Sequence, residues 1–307
     1  MTQRRWHWQL VSVVGLVGLG AWFLVAPAWA QPSQGKPSTQ TAQSAEAAMN
    51  QGLRSVQQGN LTGAISAFRQ AIQLDPTLAA AHYNLGLAYR QQGQLQEAAT
   101  AFYQAIQVDP AFALAYANLG AALLEGKNLP QAQVFLERAI QLNPKLGLAY
   151  YNLGLVEQGQ GNVAGAIAAF QQAQQLSPTA PEPAYHLGLM YLQQGQADAA
   201  KQAFEQAVKL NPNYAEAFYN IGAILLRQGQ LEGALKAFQS ASQSDPNYAN
   251  AFYGAGLILM QQGKLVEAQT ALQTAKNLYI RQGNNQWATK TEQQLQQLTG
   301  PQPTGKS

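Results

Sequence analysis

Cysteine is absent from all 307 residues. That excludes a disulfide framework, a thiolate metal site and a lipidated N-terminal cysteine, and it leaves the redox compartment open. Charge is nearly as scarce, with Asp, Glu, Lys and Arg making up 11% of the chain against about 25% in an average globular protein. Glutamine supplies much of the missing polarity, so the surface is neutral and amide-rich. The formal charge of +3 comes from 18 basic and 15 acidic residues. Arg4 and Arg5 lie in an apolar leader without acid, and 18 less these two leaves 16 against 15, or +1. Nucleic-acid binding requires clustered Lys and Arg against several phosphates. No such cluster exists, and nucleic acid is not an expected partner.

Catalytic constellations are missing too. There is no thiol nucleophile, no Gly-x-Ser-x-Gly elbow and no P-loop. Of the three histidines, His7 lies in the leader, His82 occupies a large packing slot of a helix, and His186 replaces a recurrent asparagine. "GQGNVA" (159–164) matches a loose dinucleotide fingerprint, yet it follows a helical run instead of a strand and aligns with the turn "GQLQEA" (93–98). No cofactor, no metal and no enzymatic activity are expected.

The N-terminus reads as an export signal. "MTQRRWHWQ" is basic, Leu10–Val25 is apolar, and Ala28-Trp29-Ala30 is a small-x-small cleavage site. Residues 1–30 are therefore expected to be a signal peptide, or a membrane anchor if uncleaved, since Leu10–Ala30 is long enough to span a bilayer. Membrane contact is expected only through this segment, with the remainder exported by the positive-inside rule. The periplasm, the thylakoid lumen and secretion are all compatible destinations. Residues 31–44, "QPSQGKPSTQTAQS", read as a linker and 300–307 as a disordered tail.

What is present in abundance is repetition. Prolines fall at 76, 110, 144, 178, 212 and 246, a constant spacing of 34, each preceded by Asp, Asn or Ser. A residue before proline avoids helical geometry, and these polar residues are expected to cap a following helix. Within each period two helical runs are separated by a "QQG"-like break, which predicts helix-turn-helix hairpins. The first run carries Leu85, Gly86 and Tyr89, the second Ala98, Phe102 and Ala105.

This pattern resembles the tetratricopeptide repeat family. Its first-helix glycine recurs as Gly52, Gly86, Gly120, Gly154, Gly188, Gly222 and Gly256. Its late alanine recurs as Ala71, Ala105, Ala139, Ala173, Ala207, Ala241 and Ala275. Seven repeats are assigned to 45–78, 79–112, 113–146, 147–180, 181–214, 215–248 and 249–282. Ile280 replaces the last proline, so the final helix is expected to run on. Residues 283–299 then form a capping helix with Trp287, Thr291, Leu295 and Leu298 on one face. The resemblance implies an all-α fold, a right-handed α-α superhelical solenoid of helix-turn-helix repeats with a C-terminal capping helix. The glycines are expected to face small residues and so set the tilt between paired helices.

The resemblance also implies a function: a non-enzymatic scaffold that binds a protein or peptide partner in a concave groove lined by the first helices. Asn84, Asn118, Asn152 and Asn220, with His186 in the same slot, form a ladder expected to pair with the backbone of an extended segment. Neighbouring first helices lie about 10 Å apart and a strand advances about 3.3 Å per residue, giving one asparagine per three peptide residues. Packing of these amides against a neighbouring helix is the competing role. Four hydrogen bonds at about 0.5–1.5 kcal/mol each give only roughly millimolar affinity, so apolar contact must contribute. Tyr83, Tyr151, Tyr185, Tyr219 and Tyr253, with Leu87, Leu155, Leu189 and Leu257 one turn on, are expected to supply it. The family's carboxylate clamp places Lys or Arg one turn before the asparagine. Here that slot holds Glu46, Ala80, Leu114, Leu148, Glu182, Glu216 and Asn250, which favours uncharged segments over acidic tails. The alternatives are a subunit self-assembling through Trp287 and the capping helix, or an accessory to a separate enzyme such as a glycosyltransferase.

Overall fold

The computed structural model describes residues 38–299; the expected signal segment and the C-terminal tail lie outside the described residues. Within them the chain forms fifteen helices and no strand. Seven are first helices of antiparallel hairpins: α1 (Thr39–Gln57), α3 (Ala79–Gln91), α5 (Ala113–Glu125), α7 (Gly147–Gly159), α9 (Pro181–Gln193), α11 (Ala215–Arg227) and α13 (Ala249–Gln261). Their partners are α2 (Leu61–Leu74), α4 (Leu95–Val108), α6 (Leu129–Leu142), α8 (Val163–Leu176), α10 (Ala197–Leu210), α12 (Leu231–Ser244) and α14 (Leu265–Arg281), and α15 (Asn285–Thr299) follows. The result is a superhelical α-α repeat fold. No helix of the described residues is long and apolar enough to cross a membrane.

Three sequence expectations require correction. The linker ends earlier than residue 44, because α1 begins at Thr39, where the Ser38 hydroxyl accepts from the Thr41 N–H at 3.2 Å and caps it. The polar residue before each proline does not cap the next helix. Asp75, Asp109, Asn143, Asn211 and Asp245 are C-caps of the preceding helix, and each side chain accepts from the backbone N–H two residues on. These are Asx turns. They leave Leu78, Phe112, Leu146, Tyr214 and Tyr248 as N-caps without a side-chain hydrogen bond. Apart from Ser38 on α1, side-chain N-caps of the hairpin helices occur on second helices, at Asn60, Asn128 and Asn162.

The third correction concerns the glycines. They face large side chains, not small ones. A Cβ on Gly86 would lie 2.6 Å from the Phe102 ring, one on Gly154 2.5 Å from Phe170, and one on Gly120 2.6 Å from Leu136. Phe68, Phe102, Leu136, Phe170, Phe204 and Leu272 are fully buried, so each ring or isobutyl group drops into the hole that glycine leaves. The late alanines, from Ala71 to Ala275, are all completely buried. A second alanine row, Ala81, Ala115, Ala149, Ala217 and Ala251, is equally buried. It packs between hairpins, as in the Ala71–Ala81 and Ala139–Ala149 clusters. Small residues thus close the inter-repeat seam, while Gly–Phe contacts, or Gly–Leu contacts in repeats 3 and 7, close each hairpin.

The turns inside the hairpins have one backbone requirement. Gly59, Gly93, Gly161, Gly195, Gly229 and Gly263 all adopt φ between +72° and +80°. Repeat 3 departs, because its glycine sits one residue early and Lys127 takes the left-handed position at φ +62°. An L side chain there costs about 1 kcal/mol. "GQGNVA" forms the α7–α8 turn around Gly161, with no strand before it.

The C-terminal end follows the expected pattern. Helix α14 has 17 residues where the other second helices have 14. Helix α15 covers it with Trp287, Ala288, Thr291 and Leu295, over a cluster containing Leu278 and Tyr279.

Candidate functional site

First helices of neighbouring hairpins touch directly, in the α3–α5, α5–α7 and α11–α13 contacts. Second helices therefore lie on the outer side of the curve, and the first helices line its inner face. On that face Tyr83, Tyr151, Tyr185, Tyr219 and Tyr253 are half-buried, as are Leu87, Leu155, Leu189 and Leu257. A depression between α1 and α3, about 230 Å³ in volume, is lined by Leu53, Val56, Asn84, Leu87 and Gln91.

One side of each tyrosine ring belongs to the scaffold. Tyr83, Tyr151, Tyr185 and Tyr219 lie 5.6–6.0 Å from Phe102, Phe170, Phe204 and Phe238 of their own hairpins. The residue just before the next first helix adds a second contact: Phe112 at 4.9 Å from Tyr83, Tyr214 at 4.8 Å from Tyr185, Tyr248 at 5.4 Å from Tyr219. Sequence reading missed these turn aromatics, although the 34-residue spacing aligns Phe112, Tyr214 and Tyr248 in one slot. Burial raises the phenols of Tyr151 and Tyr185 to about 12, with the carboxylates of Glu182 and Glu216 adding to the shift.

The asparagines do not form a free ladder. Asn84, Asn118 and Asn220 each donate from Nδ2 to the backbone carbonyl four residues earlier, at 2.8–2.9 Å. Asn118 also reaches back 35 residues, to the Tyr83 hydroxyl at 3.1 Å. Asn220 stands in the same slot, 35 residues after Tyr185. At Asn118 the slot is an inter-repeat tie. Asn118 and Asn152 are only 4% and 6% exposed, which removes them from the surface a ligand could touch. Asn84 and Asn220 stay half-exposed.

The tie is absent where no hydroxyl stands 35 residues earlier, as at Asn84, which follows Met49 by that interval. The residue 35 before Asn152 is Ala117, which has no hydroxyl, and Asn152 Nδ2 is buried with no partner. An orphaned buried donor costs about 1–3 kcal/mol. We expect Asn152→Leu to be neutral or stabilising, whereas Asn118→Leu destabilises by about 1–3 kcal/mol, since it breaks bonds to Tyr83, Leu114 and Arg90. Urea titration of both variants checks this, and equal losses would contradict it.

Arg90 was also missed. From α3 it ion-pairs with Glu125 of α5 and donates to Asn118 Oδ1 at 3.3 Å. This bridges the floor of the groove between repeats 2 and 3.

His186 takes the asparagine slot of repeat 5, stacked on Phe170 at 5.1 Å and edge-on to Tyr151 and Tyr185. Burial lowers its pKa to about 4, from an unfolded value of about 6.5. The neutral ring is the one the fold accommodates. Its contribution is therefore complete above pH 6.5 and is lost as pH falls towards 4, at about 1.4 kcal/mol per pH unit. Urea midpoints at pH 7 and 4.5 are expected to differ by about 2–3 kcal/mol more than in His186→Asn. Equal pH slopes would count against this. His82 is half-buried rather than a core residue, and its Nε2 donates to the Pro76 carbonyl at 3.0 Å.

Among the described residues no cluster of three or more His, Asp or Glu could hold a metal ion. Trp287 is turned inward, 5.4 Å from Tyr253 and 5.9 Å from Tyr279.

Comparison with known proteins agrees with this architecture. TPR repeat models match residues 52–90, 86–127 and 159–195. Tetratricopeptide repeat models match 185–249, 225–279 and 113–146. No curated protein matches the chain. Among solved structures, YrrB, described as "a TPR protein with an unusual peptide-binding site", is 28% identical over 64% of this chain and 99% of its own, with a TM-score of 0.52. Two further structures show the fold alone. Pseudomonas aeruginosa PilF is 21% identical over 69% of this chain and 96% of its own, with a TM-score of 0.62. A Parabacteroides merdae tetratricopeptide repeat protein is 19% identical over 81% and 99%, with a TM-score of 0.60. Repeat period, hairpin packing and these matches lead to one conclusion: the chain belongs to the tetratricopeptide repeat family, whose members are typically protein–protein interaction scaffolds.

Proposed function

We propose that the chain is an exported scaffold of the cell envelope whose inner face holds an extended polypeptide segment. The observation that carries this reading is the row of half-exposed tyrosines and leucines on the first helices, open on one side. Binding area comes from Tyr83, Tyr151, Tyr185, Tyr219 and Tyr253 with Leu87, Leu155, Leu189 and Leu257. Asn84 and Asn220 are the ladder residues left to pair with a peptide backbone. YrrB is described as binding peptide, and its likeness to this chain supports the same class of ligand.

Apolar area decides the affinity, because each well-buried leucine is worth about 1.5–3 kcal/mol and an amide hydrogen bond nets about 1. A partner segment captured by photocrosslinking in the envelope fraction should bind at least tenfold more weakly to Leu155→Ser/Leu189→Ser. Asn84→Ala/Asn220→Ala should give a smaller loss. Unchanged titration curves, with helical circular dichroism intact, would overturn the groove reading.

A further inference from the structure

The slot at the second position of each first helix forms one edge of the inner face, and its chemistry changes along the array. In repeats 3 and 4 it holds Leu114 and Leu148, 40% and 43% exposed. In repeats 5 and 6 it holds Glu182 and Glu216, both exposed. Neither carboxylate has an ion-pair partner; the salt bridges among the described residues are Arg90–Glu125, Lys201–Glu205 and Lys276–Glu292. The nearest cation on the same helices is Arg227, at the opposite end of α11, 11 residues and about 16 Å from Glu216.

The aromatic rows run beside those carboxylates. Tyr151, Tyr185 and Tyr219 present half-exposed rings, and Tyr214 and Tyr248 extend the surface from the turns. The Tyr185 ring stacks on Tyr214, two residues before Glu216, and the Tyr151 ring meets His186, one turn after Glu182 on α9. Each carboxylate therefore sits on a first helix whose start contacts the tyrosine of the preceding repeat; burial, with these carboxylates adding to it, raises both phenols. A ring face and a carboxylate together suit a primary ammonium or guanidinium ion, by cation–π attraction and charge pairing. An acidic segment would meet repulsion at both glutamates.

We propose that repeats 4–6 select a basic segment: an extended peptide carrying two Lys or Arg side chains three residues apart, preceded or followed by apolar residues that cover Leu114 and Leu148. This rests on the groove reading and sharpens it, since the partner is basic at this end and uncharged elsewhere. The three-residue interval follows from repeats about 10 Å apart and an extended chain of about 3.3 Å per residue.

A displayed library of random 12-residue peptides, selected against the folded chain and against Glu182→Gln/Glu216→Gln, tests it. Both substitutions are at exposed positions, and circular dichroism verifies that the variant is folded. Selected peptides should be enriched in Lys or Arg at i and i+3 for the parent chain and not for the variant. A representative selected peptide should bind the variant about tenfold more weakly, a gap that narrows in high salt. Peptides selected without basic enrichment, or with the same enrichment on the variant, would overturn the basic-segment proposal and leave the groove reading standing. Failure to select any peptide would overturn both.

Discussion

Phe170→Ala is expected to cost about 3–5 kcal/mol, and Gly154→Ala about 2, although the second adds a single methyl group on a helix. Two effects oppose each other at Gly154. Alanine gains about 1 kcal/mol of helix propensity, but its Cβ would lie 2.5 Å from the Phe170 ring. Phe170 is completely buried, so the ring cannot swing aside without opening the α7–α8 hairpin. Overpacking of that kind costs about 1–3 kcal/mol and occasionally more. The clash wins. The double variant should lose less than the sum of the singles, because removing the ring makes room for the methyl. Urea titration of the four proteins gives the cycle. A stabilised Gly154→Ala, or strict additivity, would show that the contact does not hold the hairpin closed.

Deleting residues 283–307 should have an effect of similar size. Helix α15 buries Ala288, Thr291 and Leu295 and seats Trp287 between Tyr253 and Tyr279. Its loss uncovers Leu278 and Tyr279, both 2% exposed in the intact protein. Repeat arrays need such caps, since each repeat buries its apolar face only on its neighbours. Leu295 and Trp287, with the Leu278 they cover, at about 1.5–3 kcal/mol each, less the ordering entropy of a short helix, predict a loss of about 3 kcal/mol focused on repeat 7. Hydrogen exchange would place the loss there, and light scattering should show the truncated chain associating. If the intact chain is the oligomer and the truncated one the monomer, α15 is an assembly surface and its capping role falls.

Periodicity alone was enough to read the hairpins, since 34-residue spacing, the Gly and Ala slots and the absence of competing motifs all point to one local structure. The resemblance to tetratricopeptide repeats, not periodicity, put the first helices with their tyrosines and leucines on the inner face. The partners of those slots lay beyond both. A repeat shows which residues occur at the same position, not which residues meet across a seam 35 positions away. Gly86 and Gly154 were expected against small residues and meet phenyl rings instead, because a ring end-on fills the void that two small residues would leave.

The same limit applies to the asparagine. A period-34 pattern shows that the residue recurs, but only tertiary contact shows that Asn118 ties to Tyr83 of the preceding repeat. It alone shows that Asn152 has lost its tie because Ala117 stands where a tyrosine would be. Sequence thus determined the helical hairpins, which depend on local periodicity, and, through the family resemblance, the solenoid fold and a candidate binding face. The tertiary structure decided which residues on that face are free to bind, because that depends on what each hairpin places against the next.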